Sequence, residues 1–349
     1  MIIGVDFTTF DDIHQGSKSR IIELYKRIVE KDDLNKFIFF LKNTKSLISS
    51  YPILQSKNVK IVKFKNTKRK YIFDFPYFIQ KYDIDIFHSQ YIIPFNAKCK
   101  TLVTIHDVLF EDYPIYFSKF FVFRSKLLFR YAAKNASHIV TVSEYSKSRI
   151  QKHYGVPNSD ITVIYNGSGK YNLKELVEPR EYFLSVGRLD RRKNYESLIH
   201  AFQKLNTQKR LIIVGQGDES YKNKLLNIDR TDRIDILCNI SDFKLSELYR
   251  NSFAFIYPTL AEGFGMPLIE AMESGTPTVC SNTTSLIEVG GDATLYIDPL
   301  NINTITEKMK MLLEDDILRK SLINKGFKNV KKFDWDVSAM QLMRLYSEL

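Results

Sequence analysis

Short apolar runs alternate with longer, more polar stretches of helical periodicity along the whole chain. In the first half the apolar runs are Ile2–Val5, Phe37–Leu41, Val59–Phe64, Ile84–His88, Leu102–Ile105 and Ile139–Val142. In the second half they are Tyr182–Val186, Leu211–Val214, Ile234–Leu237, Phe253–Tyr257, Thr278–Cys280 and Ala293–Tyr296. Alternation of strand and helix is typical of parallel sheets with helices on both faces. The pattern therefore predicts two doubly wound α/β domains.

The length of the chain and its turn residues divide it into parts. A chain of 349 residues with 44% apolar residues can fill two cores of ordinary size. Turn-forming residues without apolar periodicity follow Gly167 as far as Arg180, which predicts a linker there. We expect an N-terminal domain over residues 1–170, a C-terminal domain over 171–332, and a terminal segment over 333–349. In that segment Asp334 or Asp336 would cap a final amphipathic helix, and a cleft would lie between the domains.

The cysteines and the N-terminal residues indicate in which cellular compartment the protein works. Cys99, Cys238 and Cys280 lie far apart in sequence and show no paired spacing, which argues against a disulfide framework or a zinc site. The apolar run at the N-terminus is too short for a signal peptide and lacks a basic lead. No run approaches the ~20 apolar residues of a membrane span. We expect a cytoplasmic protein whose contact with a membrane is peripheral.

The positive charge is confined to the first half. Residues 1–170 carry 27 Lys and Arg against 15 Asp and Glu, whereas residues 171–349 carry 24 against 25. The excess is concentrated in residues 57–70 and 116–134 and predicts an anionic partner. A helix from Tyr116 onward would place Lys119, Lys126, Arg130 and Lys134 in one sector, which fits a membrane surface or a core helix with snorkelling lysines. No base-reading motif accompanies the charge, so we expect no nucleic acid partner.

The stretch from Glu262 to Glu270 carries two carboxylates in different settings. It lies between the apolar run that ends at Tyr257 and the run that begins at Thr278, so the order is strand, loop, helix, strand. Glu262 falls in the loop, and Glu270 falls about two turns into a helix that a Schellman-type glycine, Gly275, would end. Ligands of parallel sheets bind where strand carboxyl ends meet helix amino ends, because free N–H groups favour an anion there.

Cations follow the first strand of the second half. Arg188 and Lys193 come directly after Tyr182–Val186, where a guanidinium and an ammonium group suit a diphosphate, although such a run is also typical of a solvated surface. The pair Gly215 and Gly217 lacks the third glycine of a dinucleotide fingerprint and indicates a tight strand-to-helix turn.

Two further candidate positions follow strands of the first half. His106 and Asp107 end a strand there. Gly16 follows the first strand, where its backbone could approach a phosphate or simply begin a helix.

Taken together, these residues resemble the retaining glycosyltransferases of family 4, whose GT-B fold has two Rossmann-like domains facing across a cleft. The resemblance runs nearly end to end. Glu262 and Glu270 match the paired-glutamate motif of that family, Arg188 and Lys193 its diphosphate cations, His106 its sugar-contacting histidine, and Gly16 its amino-terminal glycine loop, although the second glycine common in that loop is absent here.

Further likeness, in segments such as Thr104–Val108, Thr141–Ser146 and Ser281–Ala293, is to bacterial mannosyltransferases that build O-antigen chains. The resemblance implies that the terminal helix crosses back to the first domain. It also implies catalytic roles for Glu262, His106, Arg188 and Lys193. The donor-binding set that it implies is Gly16, Asp107, Arg188, Lys193, Glu262, Gly263, Phe264, Gly265, Met266, Leu268 and Glu270.

The resemblance implies transfer of a hexose from a nucleotide diphosphate sugar, with GDP-mannose as the specific expectation. The expected acceptor is a saccharide or a polyprenyl-diphosphate-linked saccharide, and the expected product belongs to cell-surface polysaccharide. Transfer would retain the anomeric configuration and need neither a cofactor nor a metal. The basic first half would hold the enzyme on the anionic inner face of the cytoplasmic membrane. Two alternatives are a sugar-nucleotide 2-epimerase on a similar fold and a non-catalytic subunit of a polysaccharide assembly.

Overall fold

The computed structural model describes residues 1–11, 15–65, 69–169 and 181–349. The chain divides into two compact units: unit 1 comprises Met1–Gly167 and Trp335–Leu349, and unit 2 comprises Ser168–Asp334. Each unit is built on a parallel sheet flanked by helices, so the predicted fold class of two Rossmann-like α/β units is confirmed. Most of the predicted linker falls on residues 170–180, which lie outside the described residues.

Unit 1 contains, within the described residues, a seven-stranded sheet in the order β3-β2-β1-β4-β5-β6-β7 with every neighbouring pair parallel. Its strands are β1 (Ile2–Asp6), β2 (Lys36–Leu41), β3 (Val59–Lys63), β4 (Ile86–Gln90), β5 (Lys100–Thr104), β6 (His138–Thr141) and β7 (Ile161–Val163). Its central strands are almost wholly buried, as expected of a parallel sheet with both faces covered.

The helices of unit 1 include the last helix of the chain. They are α1 (Gln15–Lys31), α2 (Thr44–Ser50), α3 (Phe75–Lys81), α4 (Leu109–Asp112), α5 (Lys119–Asn135), α6 (Glu144–Tyr154) and α14 (Trp335–Glu348). Shorter 3₁₀ segments span Thr8–Asp11, Pro52–Gln55, Pro114–Tyr116 and Asn158–Asp160, and a π-helical turn spans Lys70–Asp74.

The terminal helix α14 is bound to unit 1 by its apolar stripe. Ala339, Leu342 and Tyr346 recur at helical spacing, are fully buried, and share one core cluster with α1. Burial of each large apolar side chain contributes about 1.5–3 kcal/mol. The Tyr346 hydroxyl also lies 2.8 Å from Nδ1 of His88 on β4, which ties the helix to the centre of the sheet.

Unit 2 contains, in its described part, a six-stranded parallel sheet in the order β10-β9-β8-β11-β12-β13. Its strands are β8 (Tyr182–Val186), β9 (Arg210–Val214), β10 (Ile234–Leu237), β11 (Ala254–Tyr257), β12 (Thr278–Ser281) and β13 (Thr294–Ile297). Its α-helices are α7 (Tyr195–Gln203), α8 (Glu219–Ile228), α9 (Asp242–Asn251), α10 (Met266–Glu273), α11 (Leu286–Gly290), α12 (Ile302–Glu314) and α13 (Asp316–Asn329). Two 3₁₀ turns span Arg191–Lys193 and Val330–Lys332.

The strand order of each sheet reverses at one place. The reversal lies between β1 and β4 in unit 1 and between β8 and β11 in unit 2. At such a point the loops leaving two adjacent strands run to opposite sides, which opens a crevice at the carboxyl ends of the strands. In unit 2 the two loops concerned carry the predicted cations and the predicted carboxylate Glu262.

Two local features differ from the predictions. Strand β7 is absent from the predicted strands, because its three residues are too few to show a periodicity. The helix expected from Tyr116 begins at Lys119, because the Ser118 hydroxyl caps it by accepting from the Phe121 N–H at 3.2 Å. The terminal helix begins at Trp335, so of its two predicted capping residues Asp334 immediately precedes it, and Asp336 lies in its first turn and pairs with Arg27.

Candidate functional site

The loop between β11 and α10 carries Glu262 at the reversal point of unit 2. The strand ends at Tyr257 and the helix begins at Met266. Gly265 makes the turn into the helix with φ +105°, and a Cβ at that residue would lie 2.6 Å from Cδ2 of Leu286. Only glycine fits both the conformation and the space. The local sequence thus fixes where the loop stops and the helix starts.

The helix α10 places the second carboxylate differently. It ends as predicted at Gly275, which has φ +69° and donates its N–H to the Met272 carbonyl at 3.1 Å. Glu270 lies in the second turn, where its Oε2 accepts from the Tyr249 hydroxyl of α9 at 2.9 Å. Glu270 is therefore held on the helix surface, whereas Glu262 lies inside the loop.

The Glu262 carboxylate is the acceptor at the centre of a buried polar cluster. It is 8% exposed, and its Oε1 accepts from Lys193 Nζ at 2.5 Å, from Thr259 Oγ1 at 2.8 Å and from the Tyr257 hydroxyl at 2.9 Å. Lys193 Nζ also donates to the Tyr257 hydroxyl at 2.8 Å. The structure therefore brings together two of the predicted site residues, Lys193 and Glu262, as a buried ion pair.

The backbone around Glu262 is fixed by the segment that follows β12. The Glu262 N–H donates to Thr284 Oγ1 at 3.0 Å. The Ser285 hydroxyl is within 2.9 Å of the Glu262 carbonyl and 3.0 Å of the Phe264 carbonyl, to which it donates. These bonds hold both the side chain and the main chain of the loop in one arrangement.

The charges of this cluster set its protonation. Burial alone would raise the pKa of Glu262, but the adjacent cations Lys193 and Arg192 lower it to about 2. Burial lowers the pKa of Lys193, an effect that the Glu262 carboxylate opposes. We conclude that Glu262 is a carboxylate at any physiological pH and serves as an acceptor, not as an acid.

The second cation at Glu262 is Arg192, which the sequence reasoning did not single out. Its Nη1 donates to the Ala261 carbonyl at 2.7 Å and lies 3.5 Å from Glu262 Oε2. Arg188, by contrast, has a side chain 64% exposed, and its guanidinium lies 3.9 Å from the Asp190 carboxylate. The Arg188 side chain is therefore largely exposed, whereas Lys193 belongs to the buried cluster around Glu262.

A capped 3₁₀ turn decides which cations face inward. The Asp190 side chain accepts from the Arg192 N–H at 3.1 Å and begins the turn Arg191–Lys193. Arg191 is exposed, whereas Lys193 is buried. An aspartate immediately before three cations was the available sequence signal for this turn.

The glycine pair after β9 serves the packing of these loops. A Cβ at Gly215 would collide with the Gly187 carbonyl, and a Cβ at Gly217 would collide with the Leu189 carbonyl. Leu189 and Gly217 form an isolated parallel bridge. The pair thus lets the loops after β8 and β9 run in contact, which agrees with the prediction of a tight turn.

The remaining predicted donor-binding residues of unit 2 surround the start of α10. Gly263 and Phe264 are buried, and the Phe264 ring meets Phe333 edge-on at 5.7 Å between centroids. Met266 is half-buried in the first turn. The side chain of Leu268 is fully buried in the core, so its predicted role is limited to its main chain.

His106 lies in unit 1, just beyond the end of β5. It is 9% exposed, its Nε2 lies 2.7 Å from Oε1 of Gln90, and its ring lies 5.2 Å from that of Tyr91 between centroids. Burial, followed by the positive charge of Arg20, lowers the pKa of His106 to about 3. His106 is therefore a neutral imidazole at physiological pH.

The other two predicted residues of unit 1 have simpler surroundings. Asp107 Oδ1 accepts from the Leu109 N–H at 3.1 Å, next to the start of α4. Gly16 is exposed in the first turn of α1, and a Cβ there would meet nothing within 4 Å. Nothing steric at this position requires glycine.

Six residues at these sites escaped the sequence reasoning. Most had no local signal, because a buried arginine on a helix or a tyrosine after a strand looks ordinary in sequence. They are Arg20, Gln90, Tyr91, Arg192, Tyr257 and Thr259. Across the described ranges, no three His, Cys, Asp or Glu side chains are grouped so that they could hold a metal ion.

Two family models match the chain in succession. A model described as Glycosyltransferase Family 4 matches residues 44–168, and one described as Glycosyl transferases group 1 matches residues 172–329. Among curated relatives, O-antigen chain mannosyltransferase B of Escherichia coli is 30% identical over 291 residues, which cover 78% of this chain and 76% of that protein.

Solved structures share the fold of this chain. Sucrose-phosphate synthase of Thermosynechococcus elongatus superimposes with a TM-score of 0.81 at 17% identity, covering 100% of this chain and 98% of that one. Anabaena Alr3699/HepE in complex with UDP-glucose has a TM-score of 0.77 at 18% identity, with both chains covered completely. At such identities the likeness concerns the fold.

Replacing Lys193 by Met is expected to lower the stability of unit 2 by about 3–5 kcal/mol, because Glu262 is left buried without its main cation. The double variant Lys193→Met/Glu262→Gln removes the second charge and is expected to regain most of that loss. Calorimetric unfolding at pH 7 measures both. The exposed ion pair of Lys244 with Glu247 supplies the control, since Lys244→Met is expected to change the temperature of half-unfolding little. A Lys193→Met protein as stable as the unaltered chain would contradict the importance of the pair.

Proposed function

The chain belongs to the family 4 glycosyltransferases, and on that premise we propose that it transfers mannose from GDP-mannose to a lipid-linked or free oligosaccharide, with retention of configuration and without a metal. The enzyme class, a hexosyltransferase, follows from the family models and the mannosyltransferase relative. The observation that carries the finer proposal is the charged cluster of Lys193, Arg192 and Glu262 at the reversal point of the unit 2 sheet.

The cations of this cluster suit a leaving diphosphate. Lys193 is already desolvated, so its attraction for an incoming phosphate oxygen is stronger than in water. Arg188 is largely exposed beside the same turn and is a guanidinium that can turn toward a bound diphosphate. In the proposed site these two cations stabilise the negative charge that builds up on the diphosphate as it departs, which is the work that a metal does in other transferases.

The transfer step is a substitution on one face of the sugar. The bond between the anomeric carbon and the phosphate oxygen breaks, and the electron pair leaves with the nucleoside diphosphate. The acceptor oxygen bonds to the anomeric carbon on the same face, and its proton passes to a phosphate oxygen of the leaving group. Because Glu262 has a pKa of about 2, it moves no proton in this scheme and instead orients sugar hydroxyls as an acceptor. In the same scheme Glu270 accepts from the ribose hydroxyls.

Mannose as the transferred sugar and a role in polysaccharide synthesis are supported by the Escherichia coli relative, which is named O-antigen chain mannosyltransferase B. Support for a nucleotide sugar comes from the HepE structure, which was solved with UDP-glucose. UDP-glucose is accordingly the comparison donor in the tests that follow.

We expect the purified protein to be stabilised against heat more by GDP-mannose than by UDP-glucose, because a ligand of the native state raises stability with its occupancy. With a polyprenyl-diphosphate-linked saccharide, it should then form a mannoside that keeps the anomeric configuration of the donor, at a rate unchanged by EDTA. Proton NMR of the product reads the configuration.

Other products would redirect the assignment. An epimerised sugar nucleotide formed from donor alone would identify a 2-epimerase. No turnover of any nucleotide sugar would favour a non-catalytic subunit. Inversion at the anomeric carbon would remove the proposed mechanism.

Arg188→Ala is expected to lower kcat by about 10²–10³-fold, since loss of one donor to a developing oxyanion costs about 3 kcal/mol. The variant should fold normally, because the Arg188 side chain is 64% exposed. Steady-state kinetics with circular dichroism as the folding check give the result. Arg191→Ala is the matched control, because Arg191 is an exposed cation of the same run. The activity of this variant should stay near normal. Equal activity in both variants would remove Arg188 from the site.

We further propose that helix α5 holds the enzyme on the anionic inner face of the cytoplasmic membrane. Ser125, Phe129 and Ala132 face the core, while Phe120 and Phe123 are 74% and 66% exposed. Leu127 is also exposed, and with the two phenylalanines it falls within about 60° of the helix circumference.

Cations border this apolar face. Lys119, Arg124, Arg130 and Lys134 are exposed on the same helix. An apolar face bordered by cations fits a bilayer interface, where each cation near anionic lipid contributes about 1 kcal/mol. None of the described helices is both long and apolar enough to cross a membrane.

The double variant Phe120→Ser/Phe123→Ser is expected to lose most of its cosedimentation with vesicles that contain phosphatidylglycerol, because it removes two exposed aromatic rings from the proposed contact. Phe243→Ser is the matched control, since Phe243 is 75% exposed but lies in unit 2. Binding that does not weaken with salt, or that falls equally in both proteins, would contradict docking through α5.

A further inference from the structure

Three lysines converge on one surface pocket of unit 1, beside the carboxyl ends of β2 and β3. The pocket has a volume of about 500 Å³, and its described lining is Lys42, Lys63, Phe64 and Lys65. Sheet pairing brings these residues together, because Leu41 is paired with Lys63 and the Phe64 N–H donates to the Leu41 carbonyl at 3.2 Å. We call it the lysine pocket. It lies at the carboxyl edge of the sheet, the edge at which parallel sheets bind ligands.

The described residues do not balance the charge of the lysine pocket. All three lysines are exposed, and none has an ion-pair partner in the described part of the chain. The carboxylate of Asp11 reaches this turn and accepts from the Lys42 and Asn43 N–H groups at 2.8 and 2.9 Å. By contrast, Lys70 has a side chain only 15% exposed and lies 3.7 Å from the Asp6 carboxylate. Like charges around one pocket repel one another, and an anion bound among them removes that repulsion.

An exposed apolar surface adjoins the lysine pocket. Phe64, which lines the pocket, is buried, and its ring centroid lies 5.5 Å from that of Phe75 and 5.8 Å from that of Phe78 on α3. Helix α3 and the π-helical turn before it carry three large apolar side chains that are more than half exposed, namely Ile72, Phe73 and Tyr77. We call these three residues the α3 apolar patch.

Cations beside an exposed apolar patch suit a lipid that ends in phosphate. Lysine ammonium groups bind phosphate oxygens as compact point charges. A hydrocarbon chain that follows the phosphate would cover the α3 apolar patch and remove its side chains from water. A free phosphate would leave the patch exposed, and the phosphodiester of a phospholipid carries less charge than a diphosphate. The cations and the patch together therefore favour a lipid diphosphate.

We propose that the lysine pocket binds the diphosphate of a polyprenyl diphosphate that carries the acceptor saccharide, and that the α3 apolar patch holds the first part of its hydrocarbon chain. That this ligand is an acceptor rests on the proposed function. Strands β2 and β5 are three strand spacings apart, about 14 Å, and His106 lies just beyond β5. A lipid anchored at the lysine pocket therefore reaches His106 through a short oligosaccharide and not through a single sugar.

Isothermal titration calorimetry with farnesyl diphosphate, a short polyprenyl diphosphate, tests the site in the full chain. Excess GDP is present, so that the proposed donor site in unit 2 is occupied. Lys42→Gln/Lys63→Gln/Lys65→Gln is expected to weaken binding by about 100-fold, since each cation near an anionic lipid contributes about fivefold. The three side chains are exposed, so circular dichroism should show an unchanged fold. An affinity equal to that of the unaltered chain would overturn the proposal.

A second triple variant controls for net charge. Lys320→Gln/Lys328→Gln/Lys331→Gln removes three exposed lysines from unit 2 and changes the net charge of the chain equally. It should bind farnesyl diphosphate as the unaltered chain does. An equal loss of affinity in the two triple variants would show that net charge alone attracts the ligand, which contradicts a site at the lysine pocket.

The hydrocarbon part of the ligand is tested separately. Ile72→Ser/Phe73→Ser should weaken farnesyl diphosphate binding by about tenfold and leave the affinity for inorganic diphosphate unchanged, because it removes only apolar contact area. Phe243→Ser/Ile317→Ser should change neither affinity, since both residues are exposed in unit 2. If inorganic diphosphate or soluble dioctanoyl phosphatidylglycerol binds as tightly as farnesyl diphosphate, the pocket takes free phosphate or phospholipid headgroups and the proposal fails.

Kinetics with a polyprenyl-diphosphate-linked trisaccharide connect the site to transfer. The triple variant of the lysine pocket should raise KM for this acceptor by about 100-fold with a much smaller effect on kcat, because the lysines anchor the lipid and do not touch the reacting atoms. An unchanged KM in a variant that no longer binds farnesyl diphosphate would overturn the proposal.

The length of the saccharide gives a further check. The same lipid with a single sugar should be a poorer acceptor than the trisaccharide, and equal kcat/KM for both would contradict the inferred distance to His106. If the unaltered chain transfers no sugar to any acceptor, the proposed function fails, whereas the binding of farnesyl diphosphate still decides whether the lysine pocket is a lipid diphosphate site.

Discussion

The buried ion pair of Lys193 with Glu262 exists because parallel strand order brings together residues 69 positions apart in sequence. Lys193 follows β8 and Glu262 follows β11, and these two strands are neighbours only because the sheet reverses its order between them. Either residue alone would be a charge stranded in a core. Together, with Tyr257 and Thr259 as additional donors, they fix two loops against each other and hold the start of α10 in place.

Each unit carries a buried carboxylate at the point where its strand order reverses. In unit 2 the carboxylate of Glu262 has cations beside it, so opposite charges balance within a few ångströms. In unit 1 the buried carboxylate of Asp6, at the end of β1, accepts from the Tyr71 hydroxyl at 2.8 Å and lies 3.7 Å from Lys70 Nζ. In both units a buried carboxylate and a cation from another loop thus meet at the carboxyl end of the sheet.

Much of this arrangement follows from local sequence signals, and some of it does not. The apolar runs predict the strands to within a few residues, because a parallel strand that is buried on both faces consists of consecutive apolar residues. The different settings of Glu262 and Glu270 are predictable because Gly265 and Gly275 mark the ends of the helix between them. By contrast, the choice of Arg192 over Arg188 as a partner of Glu262 is not predictable from sequence. The run Arg188–Lys193 holds four cations that could pair with Glu262, and three of them are arginines. The 3₁₀ turn Arg191–Lys193, capped by Asp190, decides which side chain turns inward.

The sequence by itself determined the fold class, the loop that carries Glu262 and the concentration of basic residues in the first half, since each depends on residues that are close together in the chain. Only the tertiary structure decided that Lys193 is buried against Glu262, that Phe120 and Phe123 of α5 are exposed, and that Arg20 lies in the core. Hydrophobic periodicity and turn chemistry act over a few residues and can be read directly. Burial and charge pairing depend on which strand or helix, distant in sequence, packs against a residue. For an arginine on an amphipathic helix, the local sequence pattern is the same whether its guanidinium lies in water or in the core.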